Sequence, residues 1–279
     1  MCYMRSFLLN PNNSMLEAIL VASIIFLITV FFYKQAMTEF RINQIEWSQK
    51  DHLARLRSEK LPIVIRTIPP ATFWTQKDVL DRSAYDEISV FHEMTLSDWV
   101  KTTDHTTVCP WPYSHAEKIA KTSGISVWAS KWINPSVLGY QRFWTLPKYH
   151  CWAGNRGLHK TMAWTFLFCT EGEIHVTIMP ESMEQFLPAQ WIGLFPADIS
   201  EKDTPFLKDL KYIDVIVRPG TALFMPPHWI MSFRATGSES SKGSESSKSS
   251  ESFNASMVCS ISYHSPISYM AFQASPYVK

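Results

Sequence analysis

Cysteines, histidines and acidic side chains are where chemistry would have to start in this chain. Cys2, Cys109, Cys151, Cys169 and Cys259 are scattered, odd in number and without a Cys-x-x-Cys pair. That pattern suits neither a disulfide framework nor a zinc ribbon, and it predicts buried or idle thiols. The imidazoles of His159, His175 and His228 and the carboxylates of Glu171 and Glu173 are of types that could hold a metal. His175 alternates with Ile174 and Val176, so it should face away from them. The clusters Trp111-Pro112-Tyr113 and Trp128, Trp132 and Trp144 could line a carbohydrate or peptide groove, although aromatics on strands are more often core. There is no Gly-x-Ser-x-Gly, no phosphate-binding loop, no dinucleotide glycine pattern and no His-Glu-x-x-His.

The chain that must position these groups has 279 residues, enough for one substantial domain with an appendage or for two small ones. Hydrophobic types make up 46% and charged types 18%, which excludes wholesale disorder. A net charge of +1 gives no electrostatic case for nucleic acid as a partner. Aromatics reach 14%, with 11 Trp against 9 Gly. That bias favours strands on a large aromatic core over a glycine-loop nucleotide binder.

Residues 1–14 form an N-terminal tail. Met15 to Tyr33 is apolar except for Glu17, and Tyr33 and Lys34 close it. An apolar run of about 18 to 20 residues with interfacial ends predicts a single transmembrane helix. Gln35-Ala36-Met37 is a poor cleavage site, which speaks against a signal peptide. Arg5 alone precedes the span, whereas Lys34, Arg41, Lys50, Arg55, Arg57 and Lys60 follow it. The positive-inside rule then places the C-terminal bulk in the cytosol. The sequon at Asn254 would matter only on the other side. Residues 34–60 lack Gly and Pro and space their apolar residues among charges, which predicts a helical stalk ending at Pro62.

From Leu61 the texture is one of short strands. Ile88–Met94, Ile125–Trp132, Tyr140–Trp144, Ala163–Cys169, Tyr212–Val217, Ala222–Met225 and Ile230–Arg234 are candidates. Glu173–Met179 and Ser256–Tyr263 alternate with a clean period of two. Together they predict a mainly β domain, a sandwich or barrel with a few helices. Residues 237–252 hold nine Ser and a tandem Gly-Ser-Glu-Ser-Ser-Lys, so they predict a flexible loop inserted between two strands.

The stretch 61–279 resembles the cupin-like branch of the JmjC superfamily. The likeness rests on Leu61-Pro-Ile-Val-Ile-Arg66, Trp152-Ala-Gly-Asn-Arg-Gly-Leu-His159, the hairpin Phe166 to Pro180 turning at Gly172, and Arg218-Pro-Gly-Thr-Ala-Leu-Phe-Met-Pro-Pro-His-Trp229. It implies a double-stranded β-helix, a cupin or jelly-roll-like barrel. Many members are iron(II) and 2-oxoglutarate oxygenases whose metal is held by His-x-Asp/Glu and a distant His. On that pattern the first histidine is His159, the carboxylate position holds Thr161, and the distal histidine position holds Met231. The basic residue that anchors 2-oxoglutarate falls on the apolar Ile174. A thioether suits Cu(I) better than Fe(II). Rescue ligands would have to come from His228, His175 and Glu171.

The resemblance and its departures lead to one expectation. It is a single-pass membrane protein with a degenerate, non-catalytic cupin/JmjC-like domain and no cofactor. Such a protein would be a binding or structural component of a membrane-associated assembly, a virus particle included, with the bilayer and other proteins as partners. An Fe(II)/2-oxoglutarate-dependent protein hydroxylase with a rewired site and a luminal glycan- or peptide-binding module are the alternatives.

Overall fold

The computed structural model describes residues 17, 19–28, 41–91, 94–102, 108–109, 111–200, 202, 204, 207–236 and 256–274. The chain divides into two compact units, Met1–Glu39 and Phe40–Lys279. The described part of the first unit is helical from 19 to 28. Among the described residues no helix is long and apolar enough to cross a membrane. The expected transmembrane helix and single-pass membrane placement are corrected accordingly. The tail 1–14, the remainder of 15–33, the loop 237–252 and Asn254 lie outside the described residues.

The second unit carries β1 (Asn43–Glu46), β2 (Ile63–Arg66), β3 (Ser89–Phe91), β4 (Met94–Thr95), β5 (Leu146–Ala153), β6 (Arg156–Lys160), β7 (Trp164–Glu171) and β8 (Ile174–Met179). After these come β9 (Ile213–Val217), β10 (Thr221–Met225), β11 (Ile230–Ala235) and β12 (Met257–His264). Its helices are α1 (Leu53–Ser58), α2 (Gln76–Asp81), α3 (Leu96–Thr102), α4 (Tyr113–Ser123), α5 (Ile125–Trp132), α6 (Asn134–Leu138) and α7 (Pro266–Ala274). One sheet runs β1-β2-β10-β7-β12-β5 and another β6-β11-β8-β9. β1 and β2 are parallel; the other pairings in these two sheets are antiparallel. Phe166, Phe168 and Phe224 of the larger sheet share one core with Val176, Ile178 and Phe233 of the smaller.

This corrects the expected fold class. The unit is mixed, with substantial helix beside the strands, and its two sheets are open rather than closed into a barrel. Among the described residues β1 and β9 each pair on one side only. The stalk is corrected as well: β1, a 3-10 turn at Trp47–His52 and the short α1 occupy 43–58. Ile125–Trp132, expected as a strand, is α5. It buries Ile125, Trp128 and Ala129, the i, i+3, i+4 stripe of a helix. Gly124 separates it from α4 at φ +89°, a left-handed conformation that ends the first helix and opens the second. Tyr140–Trp144 lies in a 3-10 turn rather than a strand. β5 and α4 were not foreseen. β5 is an edge strand, which tolerates Pro147, and α4 covers it with Ala116, Ile119, Ala120 and Ser123.

Candidate functional site

Period two sorts each strand of the smaller sheet into an inner and an outer face. On β6 and β11 the inner face carries His159 and, directly opposite, Met231. Thr161 follows immediately after β6. His159 Nδ1 lies 2.9 Å from Gly157 O. The Thr161 hydroxyl lies 2.8 Å from Pro226 O and 2.9 Å from Trp229 O, two acceptors for its one proton. Its backbone N–H donates to Trp229 O, and its carbonyl accepts from the His228 N–H. Thr161 is therefore stitched to the turn Pro226–Trp229, in which His228 holds φ +69°. Ile174 is fully buried in the main core.

The remaining expected ligands point elsewhere. His175 sits on the outer face of β8, opposite Arg234 and Ile216. Glu171 accepts from the Gln76 N–H at 2.6 Å, and Glu173 pairs with Arg218 and Thr236. His228 is half-buried in its turn. Among the described residues no three His, Cys, Asp or Glu gather to hold a metal.

The cavity beside His159 and Met231 measures about 20 Å³ and is lined by Tyr113, Trp152 and Phe272 among others. That is room for about one water. The lining offers the imidazoles of His159 and His264, the committed Thr161 hydroxyl and the thioethers of Met162 and Met231, with no carboxylate among them. Neither Fe(II) in its usual two-imidazole, one-carboxylate coordination nor a dicarboxylate co-substrate fits these residues.

The same cavity exposes residues that the sequence reading missed. On β12 the alternation that buries Cys259 and Ile261 on one side turns Ser260, Ser262 and His264 to the other. β5 adds His150 beside Ser260. Tyr113 lies edge-on to His150, Trp152, His159 and Phe272. The Arg156 guanidinium stacks 3.8 Å over Trp152 and 4.5 Å over Tyr113. His150 Nε2, Arg156 Nε and both His264 nitrogens are buried without a hydrogen-bond partner of good geometry. Burial, reinforced by Arg156, holds His150 and His159 down at about 3. Burial holds His264 at about 4, the Ser268 main chain opposing it and Lys148 adding to it. These rings are neutral at ordinary pH. The signal for them was the polar face of 260–264, which alternation alone did not rank as a site.

Cys109, Cys151, Cys169 and Cys259 are free and buried. Cys151 and Cys259 face each other across β5 and β12 with Sγ atoms 3.6 Å apart. Trp111 and Trp128 are core residues whose ring N–H groups donate to Cys151 O and Pro70 O. Trp132 and Trp144 are exposed, so the four tryptophans do not line one groove. No protein-family model matches the chain, and no curated protein matches it.

Proposed function

We propose that the unit 40–279 is a non-catalytic binding or structural component that works through its surfaces with a protein partner. The observation that carries this reading is the filled interior at His159, Thr161 and Met231. A 20 Å³ cavity cannot admit a substrate, and Thr161 has a structural task there. The surface offers more room. A groove of about 490 Å³ runs beside β9, lined by Gln44, Val64, Arg66, Val215, Ile216 and Arg218. It adjoins the unpaired edges of β1 and β9, and open strand edges invite pairing with another chain.

The test uses the full purified chain with Fe(II) and 2-oxoglutarate. Sub-stoichiometric iron and no consumption of 2-oxoglutarate are expected. One iron per chain together with 2-oxoglutarate turnover would overturn the reading in favour of a rewired hydroxylase.

A further inference from the structure

The outer face of the smaller sheet is divided in two. At one end Leu158, Met179 and Ile230 form a second small core with Leu187, Trp191 and Ile199 of the covering segment. At the other end the face turns polar and the cover stops. Two cross-strand rows lie side by side there: Ser232, Thr177 and Asp214, and next to them Arg234, His175 and Ile216. Phe195 and Tyr212 wall a cleft of about 250 Å³ over these rows.

The polar groups are arranged to receive hydroxyls. Thr177 donates to Asp214 Oδ1 at 2.6 Å, leaving Oδ2 open as an acceptor. Ser232 is 2% exposed and lines the cleft. Arg234 is held in place by Asp198 at 2.9 Å and by stacking 3.9 Å over Phe195. Tyr212, 47% exposed, offers an aromatic surface at the opposite wall. The charges are mixed: an anion would meet Asp214 and Asp198, and a cation would meet Arg234. A purely apolar ligand would strand these donors and acceptors. What remains is a neutral ligand with several hydroxyls and one apolar face. The volume lies below the range of about 300–1,000 Å³ typical of drug-sized ligands, so the ligand is about one ring in size.

We propose that this cleft binds a single neutral sugar ring, seated on Tyr212 and held by Asp214, Ser232 and Arg234. The site is separate from the filled interior, and its existence does not depend on whether that interior is catalytic. The test is saturation-transfer NMR on the full chain with glucose, galactose, mannose and N-acetylglucosamine, each alone, at millimolar concentration. Saturation transfer to at least one sugar is expected, strongest at the ring protons that would face Tyr212. Asp214→Ala should weaken it by about tenfold or more, since it removes a hydrogen bond to a charged group. Asp214 is exposed on an edge strand, so the variant should keep its melting temperature. Tyr212→Ala is the second variant, again at an exposed position. No transfer from any of the four sugars, or transfer unchanged in both variants, would overturn the proposal. So would phosphate or acetate perturbing the cleft residues in place of a sugar.

Discussion

Thr161 stands where the resembled family carries a carboxylate, and its hydroxyl is committed to two carbonyls of the turn Pro226–Trp229. Thr161→Val keeps the shape and removes that donor. The loss is expected to cost about 1–3 kcal/mol, because the Pro226 carbonyl loses this donor in a buried site, read as a lower urea midpoint. Thr161→Asp is the sharper variant. It supplies the carboxylate of the resembled pattern but places a charge in a 20 Å³ cavity whose distal position is still Met231. It should bind no iron and unfold more readily than Thr161→Val. A gain of stoichiometric iron by Thr161→Asp would mean that only the carboxylate had been missing. The resemblance singled out His159, Thr161, Met231 and Ile174; the fold brings the first three to one cavity and buries Ile174 in the main core. The commitments of Thr161 were not legible in the sequence, since they run to residues more than sixty places away.

At the scale of elements, the strands that showed through the sequence were those with one clean face. Ile174–Met179 and Met257–His264 alternate because one side packs in the core. α5 was read wrongly because Ile125, Val127 and Ala129 alternate as in a strand. Only burial reveals that Ile125, Trp128 and Ala129 form the packed stripe, with Val127 exposed. β5 was silent because an edge strand under a helix can hold Pro147 and Lys148 without losing its pairing. β6 is fixed from outside in a way no periodicity encodes. The Leu158 N–H donates to Leu194 O, and the Gly193 N–H donates to Leu158 O. A Cβ at Gly157 would lie 1.9 Å from Gly193 O, a contact only backbone movement could relieve. Gly157→Ala should therefore destabilise by about 1–3 kcal/mol, as overpacking does. Hydrogen exchange should locate the loss at β6 and the 193–194 segment. Unchanged protection there would show that this cover does not hold β6.

At the scale of the whole molecule, the buried histidines tie folding to pH. His150, His159 and His264 are neutral in the fold, with values near 3, 3 and 4, and each would titrate near 6.5 in an unfolded chain. Arg156 faces His150 and His159, and Lys148 faces His150 and His264; against these cations and burial only the Gly157 main chain at His159 and the Ser268 main chain at His264 favour the proton. Between about pH 6.5 and 4 the unfolded chain therefore binds more protons than the folded one. Stability is intact above that window and is lost as pH falls through it. Each ring contributes a slope of at most about 1.4 kcal/mol per pH unit, so the three together reach about 4. Urea midpoints measured from pH 7.5 to 4.5 should fall steeply below pH 6. His150→Asn, which keeps a polar group toward Ser260 but cannot titrate, should remove about a third of that slope. A slope that Asn leaves unchanged would mean that His150 opens to water before the fold yields. The acid sensitivity would then belong to local breathing of β5 and α4 instead of the cooperative core.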